Sequence, residues 1–212
     1  MDKVVIVDYG VGNLFSVARA LGAAGADATV SADGRTIAKA DRLVVPGVGA
    51  FGDGIAALRA RGLEEPIRAF SESGRPMLGI CLGAQLFLDE GREFGVHRGL
   101  GLVRGAVVPF VDETGSERDK IPHVGWNTLD PGPSGEGWSS GILGGIQPGG
   151  SVYFTHSYVI DAADPADIVA TSDYASQKVT AVFEHENVHG CQFHPEKSGP
   201  VGLAILKRFL AV

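Results

Sequence analysis

Two short stretches of this chain carry reactive side chains in a usable pattern. The first is Gly79-Ile80-Cys81-Leu82-Gly83-Ala84-Gln85, and the second, far downstream, is His194-Pro195-Glu196. Only one other cysteine, Cys191, is present. Arg75 to Ile80 reads as a buried strand and Leu82 to Glu90 as a helix, so Cys81 falls where one gives way to the other. A thiol at such a junction is lifted out of the sheet. The unpaired N–H groups of the helix start favour an anion there and offer donors to an oxyanion. G-x-C-x-G is the cysteine counterpart of a nucleophile elbow, and the chemistry it points to is acyl transfer through a thioester. A free cysteine is more often a buried structural thiol. Gly79 and Gly83 argue against that for Cys81, whereas Cys191, inside the apolar run Val188–Phe193, fits it.

His194 and Glu196 are two residues apart, so in extended chain both side chains point the same way. The carboxylate can then accept from one ring nitrogen while the other faces the thiol, which fixes the tautomer and stabilises an imidazolium. Pro195 removes a donor and stiffens the chain between them. An oxyanion needs at least two donors. The N–H of Leu82 is one. The loop Pro46-Gly47-Val48-Gly49-Ala50-Phe51-Gly52 is the candidate source of the second, because its glycines let a peptide turn over. The alternative is a plain glycine-rich turn. Tyr9-Gly10-Val11-Gly12-Asn13 has the look of a dinucleotide turn, but Phe15 stands where the third glycine belongs, so a tight turn is expected instead. Among the remaining histidines, His97, His185 and His189 are expected to be exposed or in hairpins, and His123 and His156 lie in strands that could face an interface. No His or Cys spacing suits zinc, so no metal and no cofactor are expected.

Positioning these groups falls to an α/β fold. Lys3–Asp8, Asp27–Ser31, Leu43–Val45 and Arg75–Ile80 read as strands. Helices follow the first of them around Leu14–Leu21, closed by Gly22 and Gly25, and then fall at Ile55–Ala60 and Pro66–Phe70. Continuous apolar strands alternating with helices mean a mostly parallel central sheet flanked by helices, with ligands at the carboxyl ends of its strands. In the second half Leu102–Phe110, Ile121–Leu129, Ser151–Ile160, Ile168–Ser172, Val179–His185 and Val188–His194 read as antiparallel or mixed strands, with a hairpin turn at Asn187. Gly132–Gly150 reads as an irregular loop or lobe and Ser198–Leu210 as a helix. At 212 residues the chain suits one domain, and 44% apolar composition suits a full core. A net charge of -7 argues against nucleic acid or an anionic membrane as the main partner. No apolar run approaches the roughly 20 residues of a spanning helix. The chain runs from Met1 into a strand without a leader, and a reactive thiol wants a reducing compartment, so a cytoplasmic location is expected.

Gly79–Gln85 together with His194-Pro195-Glu196 resembles the class I (triad) glutamine amidotransferases, and the resemblance spans the whole chain. Asp8–Asn13, Pro46–Asp53, Pro122–Asn127 and Tyr153–Tyr158 are similar, within that family, to the glutaminase branch that serves histidine biosynthesis. The resemblance implies a flavodoxin-like single domain over residues 1–212 that hydrolyses L-glutamine to glutamate and ammonia. It implies a heterodimer with a (β/α)8-barrel cyclase subunit, which uses the ammonia to make imidazole glycerol phosphate and AICAR. By motif position Cys81 is then the nucleophile, His194 the acid/base and Glu196 its orienter. Val48 and Gly49 complete the oxyanion hole with Leu82. Gly49, Gln85, Ser157 and Tyr158 hold glutamine, and Pro122, His123, Val124, Gly125, Trp126 and Asn127 lie toward the cyclase. The Pro46–Gly49 loop becomes a candidate switch that presents an N–H to the oxyanion only when the cyclase is loaded. Rival readings are a glutaminase serving another synthase, a stand-alone cysteine amidase, and a non-catalytic scaffold.

Overall fold

The computed structural model describes residues 3–110, 121–135, 137–175 and 177–212. The first half runs β1 (Lys3–Val7), α1 (Leu14–Ala24), β2 (Asp27–Ser31), α2 (Gly34–Ala38), β3 (Arg42–Gly47), α3 (Phe51–Ala60), α4 (Glu64–Glu72), β4 (Met77–Cys81) and α5 (Leu82–Gln85). The second half runs β5 (Glu90–Gly91), β6 (His97–Arg98), β7 (Gly105–Pro109), β8 (His123–Thr128), β9 (Asp130–Pro131), β10 (Ser151–His156), β11 (Tyr158–Ala162), β12 (Ile168–Tyr174), β13 (Gln177–His185), β14 (Val188–Cys191) and α6 (Gly199–Phe209).

An eight-stranded sheet in the order β2-β1-β3-β4-β14-β13-β12-β9 forms the centre. Its first five strands are mutually parallel, and β13, β12 and β9 extend it antiparallel. Alternate residues of one strand feed two different cores, as the pleat requires. Val5, Val7, Leu43, Val45 and Met77 pack with Ile37, Leu58, Ile67 and Phe70 of α2 to α4. Val4, Ile6, Val44, Leu78 and Ile80 pack with Val17, Leu21, Leu206 and Phe209 of α1 and α6. Each such fully buried side chain contributes roughly 1.5–3 kcal/mol. Both faces are therefore covered, which is why these strands read as unbroken apolar runs. Asn13 caps α1 by accepting from the Ser16 N–H, and Gly25, at φ 105°, closes it. Gly22 lies inside that helix rather than at its end.

Two departures from the sequence reading bear on function, and a third segment sharpens it. The helix expected over Leu82–Glu90 stops at Gln85, because the carbonyls of Leu86, Phe87 and Leu88 accept from Leu100, Leu102, Val103 and Gly101 instead of from a next turn. The strand expected over Ser151–Ile160 breaks at Ser157. Its first part, β10, pairs only with β8, and its second, β11, belongs to a four-stranded sheet of order β11-β7-β5-β6. Gly132–Gly150 is irregular, as expected, but it is packed. Trp138, Ile142 and Leu143 are buried in the α1/α6 core, and the Trp138 indole donates to the Val169 carbonyl. Glu136 lies outside the described residues. No helix among the described residues is long and apolar enough to cross a membrane.

Candidate active site

Three adjacent parallel strands deliver the reactive groups. Gly47, the last residue of β3, stands directly opposite Cys81, the last residue of β4. Cys191, the last residue of β14, stands opposite Ile80, and the chain reaches His194 three residues later. Cys81 has φ 53° and ψ −113°, a conformation that costs an L-residue of order 1–3 kcal/mol and persists only where the surroundings impose it. They do so through the two flanking glycines. A Cβ on Gly83 would run into the Val45 carbonyl, and one on Gly79 into the backbone of Ala84. The elbow is thus folded hard against β3, and only glycine fits on both sides of the sulfur.

The imidazole of His194 lies beside that sulfur. Its Nδ1 donates to Glu196 Oε1 at 2.8 Å, with both side chains almost fully buried. The contact spans the single 3-10 turn Pro195–Lys197 that follows His194, so the carboxylate reaches back from a turn and not along an extended strand. Pro195 occupies the first position of that turn, where a missing N–H costs nothing. The main chain of His194 is fixed by its N–H to the Tyr153 carbonyl at 2.9 Å and by Ser198 Oγ donating to its own carbonyl at 2.6 Å. Among the described residues Nε2 makes no hydrogen bond to nitrogen or oxygen, which leaves it to the Cys81 sulfur. Burial by itself pushes the pKa of His194 down. The Cys81 sulfur and the Glu196 carboxylate outweigh it and raise the value to about 10. Around the sulfur, the Thr155 carbonyl lies at 3.8 Å and Gln192 Nε2 at 3.9 Å.

A cleft of about 540 Å³ opens over Cys81. It is lined by Cys81, Leu82, Val48, Gly49, Gln85, Ser157 and Tyr158, together with Pro122, Ala50, Glu93, Thr155 and His156. Gly49 has φ 104°, a conformation open to glycine and poor for other residues.

The profile of the glutamine amidotransferase class-I family matches residues 5–212. Over its whole length the chain is 47% identical to the imidazole glycerol phosphate synthase subunit HisH 1 of Legionella pneumophila strain Lens, covering all of that protein. It is 44% identical to the HisH subunit of Geobacillus thermodenitrificans, with 100% and 97% of the two chains covered. The chain belongs to the class-I glutamine amidotransferases and, among them, to the HisH subunits. The structure of PurLQS from Thermotoga maritima shares the fold at TM-score 0.73 and 20% identity, covering 100% of this chain and 99% of that one. The glutaminase domain of CTPS from Trypanosoma brucei does so at TM-score 0.63 and 16% identity, with 100% and 94% covered.

Within this amidotransferase the six residues expected toward a partner divide. Val124 and Trp126 point outward at 54% and 57% exposure, while Pro122 lines the cleft. His123 does not point outward. It is 2% exposed, because β8 alternates and its inner face packs on Phe154. Asn127 donates to the Asp173 carbonyl of β12, and Gly125 lies between the two outward residues. His189, expected to be exposed or in a hairpin, lies in the β13–β14 hairpin and is buried there, since β14 is an interior strand with both faces covered; its Nδ1 lies 3.7 Å from Glu184. His185 pairs with Asp167 at 3.0 Å, and His97 is half-buried against Gly52. Cys191 is fully buried and burial holds its thiol well above the usual pKa, as suits a core residue. Gln192 and Glu93 carry no signal in the sequence that marks them out. Gln192 Oε1 accepts from Gln85 Nε2 at 3.1 Å under the cleft floor, and Glu93 accepts from the Phe51 N–H at the start of α3.

Proposed function

We propose that this amidotransferase hydrolyses L-glutamine through a glutamyl thioester on Cys81 and passes the ammonia to a cyclase subunit that makes imidazole glycerol phosphate and AICAR. The observation that carries the reading is the strained Cys81 elbow beside a buried, carboxylate-bound His194. The Cys81 thiolate attacks the side-chain carbonyl carbon of glutamine, and the carbonyl electrons move onto oxygen. The N–H of Leu82 and a donor from Val48–Gly49 hold that oxyanion. The intermediate collapses, the C–N bond breaks, and imidazolium Nε2 gives its proton to the leaving nitrogen, which departs as ammonia. Water then attacks the thioester, His194 takes its proton, and glutamate leaves as the thiolate is restored. Glu196 holds the ring and its charge through both steps.

At the substrate's other end Gln85, Gly49 and the main chain at Ser157–Tyr158 form the wall of the cleft. Glu93 supplies a carboxylate for the α-ammonium group that any amino-acid substrate carries. Ammonia released into bulk water would be protonated and lose its nucleophilicity, so a dry path to the second site is a requirement of the chemistry. The partner is proposed as a (β/α)8 barrel docked on the Val124/Trp126 face, with the whole chain acting as one domain in the cytoplasm. The Pro46–Gly49 loop is proposed as the switch that withholds its N–H until the cyclase is loaded. The test is the rate of glutamate formation with and without the candidate cyclase and its nucleotide substrate. Slow turnover alone and fast turnover in the loaded complex are expected. Full turnover by the isolated chain would mark it as a stand-alone amidase.

A further inference from the structure

Two buried histidines at the cleft take no part in the glutaminase chemistry. His123 of β8 and His156 of β10 are direct cross-strand partners in the two-stranded sheet, 2% and 6% exposed. His123 Nδ1 lies 3.0 Å from His156 Nε2, and His156 Nδ1 lies 2.8 Å from the Tyr158 carbonyl oxygen. A carbonyl only accepts, so His156 Nδ1 carries a proton and, in the neutral ring, Nε2 carries a lone pair. His123 Nδ1 must therefore be the donor to it. Both tautomers are fixed by the end of the chain of bonds. Burial keeps the rings neutral, as that chain requires, lowering His123 to about 4 and His156 to about 3.

The pair is also clamped. The His123 ring is stacked on Phe154, with centroids 4.6 Å apart, and on Tyr174 at 3.8 Å. The Tyr158 carbonyl at the end of the chain accepts a second bond, from Gln85 Nε2 at 3.2 Å, and Gln85 in turn holds Gln192 beneath Cys81. His156 ends the β10 ladder opposite His123 and Tyr158 begins the β11 ladder opposite Pro109, so Ser157 alone lies in neither. Pro109 has no N–H to offer across that last pair, and the two side-chain donors aimed at the Tyr158 oxygen tie the ends of the two ladders together.

We propose that His123 and His156 are positioning residues for glutamine: together they set the Ser157–Tyr158 wall of the cleft and tie it to β8, whose opposite face carries Val124 and Trp126. This role rests on the glutaminase function proposed for the cleft. The pair touches no reacting atom, so its loss loosens substrate binding and leaves the chemical step intact.

The test is steady-state glutaminase kinetics in the loaded cyclase complex. His156→Phe keeps the ring volume and removes the bond to Tyr158, and KM for glutamine should rise about tenfold with kcat changed less than about threefold. His156→Asn places an amide N–H near the lost donor and should restore KM to within about threefold. A general packing role would not separate these two variants. An unchanged KM in His156→Phe, an equal rise in both, or a loss confined to kcat overturns the proposal. Should His156→Phe fail to fold, His123→Phe gives the same reading, with KM raised about threefold; no rise overturns it. Absence of glutaminase activity in the unsubstituted complex sinks the proposed function instead, and the positioning role with it.

Discussion

His194 on one side, and His123 with His156 on the other, are buried in the same neighbourhood and held in opposite charge states. His194 follows the interior strand β14 and meets the Cys81 sulfur and, at 2.8 Å, the Glu196 carboxylate, so its pKa rises to about 10. His123 and His156 sit in the small β8–β10 sheet among aromatic rings, each other and one carbonyl, with no carboxylate of the described residues bonded to them, and burial lowers theirs to about 4 and about 3. Desolvation pushes all three downward. What differs is whether a full negative charge stands within hydrogen-bonding distance. The lesson is a division of labour. The parallel sheet fixes a histidine that can give and take a proton, and the two-stranded sheet fixes two that cannot and so serve as rigid hydrogen-bonding parts.

The comparison breaks most completely at the sulfur. Cys81→Ala should lower glutaminase activity by more than about 10³-fold while leaving the unfolding midpoint close to that of the parent, measured as glutamate release and by urea titration. Retained activity would move the chemistry elsewhere. Glu196→Gln keeps the hydrogen-bonding shape and removes the charge, which should make His194 resemble His123 and His156. Activity should fall by roughly 10²-fold or more, and the ring should titrate well below about 10 by NMR. Gly83→Ala forces a Cβ into the Val45 carbonyl and should destabilise the fold by about 3 kcal/mol or more in denaturant titration.

The smallest effect is the most specific, and it concerns stability against pH. His194 has a raised pKa in the folded chain, so its contribution is complete below about 6.5 and is lost as pH rises toward about 10. His123 and His156 have lowered values, so theirs is complete above about 6.5 and is lost as pH falls toward about 4 and about 3. His194→Asn should flatten the alkaline limb of the stability profile and His123→Phe the acid limb. Effects on the same limb would contradict the opposite charge states.

Much of the catalytic edge is legible in the sequence because it depends on local rules. Gly79 and Gly83 around a cysteine mark an elbow whichever fold carries it, and His194 with Glu196 can meet only through the two-residue spacing between them. Even there the route differs: the carboxylate arrives through a 3-10 turn, which Pro195 at its start is suited to begin. The two-stranded sheet is harder to read. Ser151–Ile160 is one continuous strand pattern, and nothing local announces that its two parts join different sheets. His123 reads as an interface residue, yet strand alternation with exposed Val124 and Trp126 turns it inward. Glu93 and Gln192 are single polar residues whose importance comes only from where a loop and a buried strand end bring them. The truncated α5 has the same cause, since the carbonyls that follow it, those of Leu86, Phe87 and Leu88, are claimed by a segment more than ten residues downstream.

Of the two buried thiols, only Cys81 stands beside an imidazole that can activate it. Treating the chain, in complex with its cyclase, with a glutamine analogue bearing a thiol-reactive electrophile at the side-chain carbonyl, followed by peptide mass mapping, tells the two thiols apart. An adduct is expected on Cys81 and none on Cys191, with labelling slowed sharply by His194→Asn. An adduct on Cys191, or labelling of Cys81 at the same rate without the imidazole, would show that His194 does not activate the sulfur.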